Sequence, residues 1–406
     1  MFFYLSFLRP PPLQSPPSSQ IKITPQIAND LRTEPFEGSQ DIYFSWSPAT
    51  TATPTQNTKP AKLTTWRQEN AYKEIMVPLP PNVREGQRWR LILSSTPDTR
   101  NLGIDLRAKS SLGRHPFSVM SMPILFTKFA GKNTGSGKQE QVERVYRFSR
   151  PAEGEGEGEE GEVAMKITEQ TSFDLDKVRF GKIWDSGIGL SSWLTHLASS
   201  KEEARDEHSL SDRLRQIMFS STPRKIVELG AGTGIVSLVL SALRSGFIAC
   251  SPDSEQEGNS IMTTDLPSAM PLLEHNVSQN SHLFPNPRLT PQAKVLDWDQ
   301  DLPEDVTTIS VSGNLDIIVM ADVTYNTSSF PALIRTLSRL MSLNAEDRPP
   351  FILLGYKERD AAERSLWDMA REIGIQFTQV DQVPGAGGVP IEIWIGETGT
   401  SKEKAT

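Results

Sequence analysis

Lys225–Leu240 reads KIVELGAGTGIVSLVL: a short apolar run, three glycines within five positions, then residues with helical spacing. Glycine lets a chain turn tightly with φ above zero and lets a ligand touch the backbone where a Cβ would obstruct it. The turn Gly230-Ala231-Gly232-Thr233-Gly234 has G-x-G-x-G spacing. A dinucleotide fingerprint would need glycine or alanine where this chain has Ile235, and no G-K-[ST] follows to make a P-loop. Glu228, at the end of the apolar run, would repel a phosphate but can accept hydrogen bonds from an ammonium group. A nucleoside carrying an amino-acid tail suits both features, and S-adenosyl-L-methionine is that molecule. A purely structural tight turn is the alternative.

Outward from this turn, apolar runs alternate with helical segments: SIMTTD then SAMPLLEHNVSQN, LDIIVMAD then SSFPALIRTLSRLM, FILLGYKE then AERSLWDMAREIG, and finally FTQVDQV and IEIWIGE. Ile317–Met320 is apolar at consecutive positions, as in a parallel strand buried on both faces. Such units predict an α/β, doubly wound, Rossmann-like seven-stranded sheet, closed by an antiparallel C-terminal hairpin around PGAGGVP. Ligands of these sheets bind beyond the carboxyl ends of the strands, where strand order reverses.

The residues after each strand are therefore the candidates. Asp265, with Leu266 beside it, ends the second strand, where a carboxylate can accept from both ribose hydroxyls; capping the next helix ahead of Pro267 is the alternative. The third strand leads into KVLDWDQD, where Trp298 lies either against a purine or in the core, and Asp297 or Asp299 could reach the exocyclic amine. The fourth leads into MADVTYN, in which Asp322 and Tyr325 stand three apart. A carboxylate leaving an apolar strand is expensive to bury unpaired, so it points to chemistry or to a helix cap.

The 406 residues allow two or three domains. Residues 1–60 are rich in Pro, Ser, Thr and Gln and read as a disordered tail, the apolar start MFFYLSFL included; a targeting element is the alternative. Residues 61–172 read as a small N-terminal extension with short strands and a disordered Gly/Glu loop over 132–162. Residues 173–397 read as the catalytic domain and 398–406 as a second disordered tail. The net charge of −8 argues against wrapping nucleic acid. The lone cysteine, Cys250, allows no internal disulfide, and no run reaches the ~20 apolar residues of a membrane span. These features point to the cytoplasm or nucleus, with no membrane or direct nucleic-acid partner, and a monomer. The five histidines have no metal-ligand spacing, so no metal is expected.

IWDSGIGLSSWL (Ile183–Leu194), VELGAGTG, TDLPSAMPLLEHNV, LDWD and ADVTYN together resemble the seven-β-strand protein-lysine methyltransferases of methyltransferase family 16, the methyltransferase-like 21 and 22 group. The likeness covers about Phe180 to Glu397, and the family's mark is D-x-x-Y, here Asp322-Val323-Thr324-Tyr325. It implies S-adenosylmethionine-dependent methylation of a lysine on a non-histone protein. Trp184, Gly230, Ala231 and Gly232 would contact the cofactor, with Glu228, Gly234 and Leu266 among its neighbours. Asp265 would hold the ribose, Trp298 flank the adenine, and Ala321 line the pocket. Asp322 would orient the amine and receive charge, and Tyr325 would line the channel. The alternatives are a small-molecule, nicotinamide-like N-methyltransferase and a non-catalytic binding module with the same fold. A nucleic-acid or glutamine amino-methyltransferase would carry [ND]-P-P-[YF] in place of DVTY, and no G-x-S-x-G supports a hydrolase.

Overall fold

The computed structural model describes residues 1–49, 57–98, 102–128, 138–150, 161–171, 181–200, 209–248, 260–284, 286–310, 314–345 and 347–398. Two β-sheets occupy the first 171 residues. Tyr4–Arg9, Ile21–Ala28 and Ile75–Val77 make a three-stranded antiparallel sheet. A nine-stranded sheet ends in the long hairpin Gln141–Arg150 and Gly161–Gln170. Leu5, Phe7, Trp46, Trp66, Leu91, Leu93 and Phe126 fill the core between them.

The expectation of a disordered tail over residues 1–60 is therefore overturned. Proline-rich composition hid strands whose stability comes from distant partners: Tyr4 pairs with Ala28, Leu5 with Ile27, and Phe7 with Pro25. The start MFFYLSFL is packed, with Phe2 and Leu5 fully buried. The Met1 carbonyl accepts from the Ala386 amide at 3.0 Å, in the turn of the C-terminal hairpin. The extension is accordingly larger than the small one expected. The Gly/Glu loop expected over 132–162 shrinks as well: residues 141–150 and 161–162 are strand, and the Gly/Glu run at 151–160 lies outside the described residues, as does the tail at 399–406.

The second half holds seven strands, β1 (Lys225–Leu229), β2 (Ser260–Asp265), β3 (Gln292–Val295), β4 (Ile317–Ala321), β5 (Phe351–Tyr356), β6 (Ile375–Val383) and β7 (Ile391–Thr398). They lie side by side in the order β3-β2-β1-β4-β5-β7-β6, with β1 to β5 parallel and β7 antiparallel to both neighbours. The helices are α1 (Asp185–Ala198), α2 (Leu210–Met218), α3 (Ile235–Arg244), α4 (Met270–Gln279), α5 (Glu304–Thr307), α6 (Phe330–Met341) and α7 (Ser365–Glu372). Strand order reverses between β1 and β4, where Leu229 lies opposite Met320. The two adjacent strand ends put the glycine turn beside the D-x-x-Y segment.

Helix α1 is buried along nearly its whole length because it lies between the sheet and the β-extension. Its glycines permit the approach: a Cβ on Gly189 would sit 2.8 Å from Ile391. Tyr146, Phe148, Met165 and Ile167 of the long hairpin share one apolar cluster with Leu194, Ile235, Leu238 and Val239. Strand Gly161–Gln170 is the rim of its sheet, and Asn276 of α4 and Asn280, which caps that helix, satisfy its outer backbone groups at Thr168 and Lys166. Asn276 accepts from the Thr168 amide at 2.9 Å and donates to the Thr168 carbonyl at 3.1 Å. Asn280 does the same for Lys166, at 3.0 and 2.7 Å. The Asn276 amide also donates to the Thr233 carbonyl in the glycine turn at 3.0 Å. No helix of the described residues is long and apolar enough to cross a membrane.

Candidate active site

A cavity of ≈ 270 Å³ opens beyond the carboxyl ends of β1, β2 and β4. Its wall includes Trp184, Glu228, Gly230, Ala231, Gly232, Asp265, Leu266, Trp298, Ala321, Asp322 and Tyr325. With Asp297 and Asp299, thirteen of the fourteen residues singled out from sequence thus meet in one chamber. Gly234 is the exception. It turns into α3 with φ 79°, and a Cβ there would lie 2.6 Å from Leu273 Cδ1, so its missing side chain admits packing against α4.

Each wall element has a local cause. Gly230 and Gly232 have φ of 66° and 57°, a region L side chains rarely occupy. A Cβ on Gly230 would meet Val323 at 3.0 Å, whereas one on Gly232 would meet nothing within 4 Å. The Gly232 amide donates to Asp265 Oδ2 and the Leu266 amide to Asp265 Oδ1, both at 2.7 Å, which fixes that carboxylate at the strand end. Burial pushes the Asp265 carboxyl up, and the two amides oppose the shift. Glu228 is buried and receives hydrogen bonds from Ser237 and, at 3.0 Å, from Thr263. Burial pushes its carboxyl up to about 7 against those bonds. Asp297 and Asp299 flank Trp298 on the same wall.

At the mouth, the Trp184 and Tyr325 rings are parallel within 6°, with centroids 6.3 Å apart. The Arg359 guanidinium stands 5.2 Å from the Trp184 ring centroid, a cation–π geometry. Tyr325 is 39% exposed, which leaves one side of the chamber open to solvent.

Asp322 lines the chamber as expected and has a partner that the sequence reading did not name. It is buried, adopts a left-handed φ of 59°, accepts from the Ser186 amide at 3.2 Å, and is paired through both oxygens with Arg359. Its charge is therefore already compensated by the Arg359 guanidinium. Nothing after β4 in the sequence signalled this. Arg359 follows β5 in YKERD, and the same search of strand ends, extended one strand further, would have found it.

Behind Asp322 lies an ion cluster that sequence reasoning missed entirely. Lys357 bridges Asp185 at 2.8 Å and Asp30 at 3.2 Å, and Arg359 reaches Asp30 at 2.9 Å. Asp185 also accepts from the Phe2 amide at 2.9 Å and the Tyr4 hydroxyl at 2.7 Å. Lys182, on the cavity wall, donates to the Asp30 carbonyl at 2.7 Å, and burial together with Arg32 pushes its amine down to about 7. Among the described residues no group of His, Cys, Asp and Glu could hold a metal.

A protein-family profile described as "Lysine methyltransferase" matches residues 161–372. Yeast (Saccharomyces cerevisiae) protein-lysine N-methyltransferase EFM6 is 26% identical over 191 residues, covering 46% of this chain and 68% of the relative. Zebrafish (Danio rerio) protein N-lysine methyltransferase METTL21A is 30% identical over 162 residues, covering 39% and 61%. Xenopus tropicalis EEF1A lysine methyltransferase 3 is 34% identical over 120 residues, covering 29% and 42%. The profile begins in the second strand of the long hairpin, so the first 160 residues lie outside it.

Proposed function

The chain belongs to the lysine methyltransferase family, and from that premise we propose that it transfers methyl groups from S-adenosylmethionine to a lysine side chain of a non-histone protein. The observation that carries this reading is the convergence of Glu228, Gly232, Asp265 and Asp322 on one chamber at the point where strand order reverses. The chamber suits the cofactor. Gly232 faces open space that a Cβ would enter, Asp265 keeps further lone pairs for ribose hydroxyls after accepting two amides, and Glu228 offers a carboxylate to an ammonium group. Trp298 and Leu266 supply an apolar wall for a purine, flanked by Asp297 for its amine.

When bound, S-adenosylmethionine supplies a methyl group on a positively charged sulfur. The protein's share is positioning. A lysine amine must lose its proton before its lone pair can act, at a cost of roughly 4 to 5 kcal/mol at neutral pH from a reference pKa near 10.4. Desolvation between the Trp184 and Tyr325 rings lowers that cost, because burial disfavours the charged form. The proton leaves to water at the open rim. Asp322, anchored by Arg359, then accepts a hydrogen bond from the neutral amine and orients its lone pair inward, and the ammonium formed by transfer finds the same carboxylate and the faces of both rings.

Incubation of the purified chain with methyl-labelled cofactor and a cell lysate tests the reading. Label in a protein band, on lysine by mass spectrometry, is expected; label confined to small molecules overturns it. Calorimetry adds a pH signature. Protonating Glu228 removes the ammonium's acceptor, so the Kd for S-adenosylmethionine is expected to be flat above about pH 7 and to weaken by up to about tenfold per unit below it. The free protein has the opposite sign. The Glu228 carboxyl holds its proton better folded, so its stabilising contribution is complete below the ordinary value of 4.5 and is lost as pH rises through about 7.

The glycine turn separates binding from folding. Gly232→Ala places a methyl group in open cavity space and is expected to cost about 1 kcal/mol of stability from its φ, while weakening cofactor binding at least about tenfold. Gly234→Ala drives a methyl into Leu273 and is expected to cost about 2 to 3 kcal/mol of stability. Thermal melts read against calorimetry check the pair; similar effects of both on Kd would contradict the division.

A further inference from the structure

We infer that Asp30, delivered by the β-extension, is a positioning residue for methyl transfer: it holds Arg359 so that Arg359 holds Asp322. The inference rests on the reading of Asp322 as the group that orients the lysine amine, and it assigns a working role to a part of the chain outside the stretch matched to the family.

The geometry is a clamp. One guanidinium nitrogen of Arg359, Nη2, lies 2.9 Å from Asp30 Oδ2 and 3.0 Å from Asp322 Oδ2, while Nη1 is paired with Asp322 Oδ1. A guanidinium on a long side chain held by one carboxylate can swing; held by two on different elements it is fixed, and Asp322 with it. Asp30 is itself held on several sides. Its carboxylate is fully buried and is held by Lys357 as well as Arg359. Asn29 locks the turn that carries it, accepting from the Thr33 and Glu34 amides at 3.0 and 3.2 Å. The Asp30 carbonyl accepts from Lys182, itself a residue of the chamber wall. Burial opposes its charge, but Arg359 and Lys357 overcome that and hold its carboxyl below the usual carboxylate range.

Charge balance predicts that the site survives a neutral replacement. The cluster contains three carboxylates, Asp30, Asp185 and Asp322, against Lys357 and Arg359. Asp30→Asn leaves two of each sign and keeps the shape, so the variant should fold. Glue and positioning then separate in the kinetics. A residue that only glues the extension in place would lower melting temperature and active fraction and leave kcat per active site alone.

The experiment is Asp30→Asn in the full chain. The expected result is a kcat at least about tenfold lower, with the Kd for S-adenosylmethionine by calorimetry within about threefold of the parent. Crystals grown without cofactor are expected to show Arg359 and Asp322 displaced. Combining Asp30→Asn with Arg359→Lys, whose point charge cannot bridge two carboxylates, is expected to be no worse than Arg359→Lys alone. Unchanged kcat in Asp30→Asn, unmoved Arg359 and Asp322, or additive losses would each overturn the inference. Should Asp30→Asn not fold, Arg359→Lys decides: wild-type kcat there overturns it equally. Failure of the underlying reading is distinguishable, because Asp322→Asn would then retain wild-type transfer. If Asp322→Asn is inactive while Asp30→Asn is not, only the role of Asp30 falls.

Discussion

Asp322→Asn is expected to lower kcat for lysine methylation at least about a hundredfold while leaving cofactor affinity within about threefold. The size follows from what the side chain is asked to do. The carboxylate must accept from the incoming amine while facing the ammonium that the amine becomes, and an amide offers neither the charge nor the second acceptor oxygen. Asparagine is the informative replacement. It tolerates the left-handed φ of 59° better than most residues and can still accept from the Ser186 amide. Alanine would strip Arg359 of one of its two carboxylate partners. Breaking a buried pair costs about 3 to 5 kcal/mol, and lost activity would then be confounded with lost fold. Single-turnover kinetics with labelled cofactor, on protein shown by calorimetry to bind it, check the prediction. Wild-type turnover would remove Asp322 from the reaction.

The second large effect concerns the extension. A chain reduced to residues 181–398 is expected not to fold, although it contains every strand of the seven-stranded sheet. Tyr146, Phe148, Met165 and Ile167 belong to the same buried cluster as Leu190, Leu194, Ile235 and Leu238, so removing them exposes the outer side of α1 and part of α3. Each large apolar side chain uncovered loses about 1.5 to 3 kcal/mol, and a handful of such losses equals the whole stability of a typical domain, about 5 to 15 kcal/mol. The truncation also leaves Lys357 without Asp30, and Asp185 without Phe2 and Tyr4. Circular dichroism and limited proteolysis of the fragment would show it; a soluble fragment with cooperative thermal unfolding would contradict the shared core.

What could be read in the sequence divides along the range of the interactions. The alternation of apolar strands and helices after Thr171 is a local signal, and strand ends locate a ligand chamber in such a sheet without any knowledge of contacts. Glu228, Asp265, Trp298 and Asp322 were legible for that reason. The strands of residues 1–60 were not, because they are proline-bearing and acquire their burial from partners tens of residues away. Asp30 is the extreme case: it lies 329 residues from Arg359, in a segment whose composition suggested no fold at all. Glycines posed a different problem. Gly232 and Gly234 are equivalent on paper, and only what each faces, open cavity or Leu273, tells a cavity-lining glycine from a packing one.

Asn276 has a consequence for how the methyl donor arrives. Its one amide side chain is shared by the rim strand at Thr168 and the glycine turn at Thr233, so α4 is bolted at once to the extension and to the chamber floor. A helix secured on two sides is held against swinging outward, since such a motion would break all three bonds. The docking berth is therefore ready-made, its floor braced by the same side chain that ties down the rim strand.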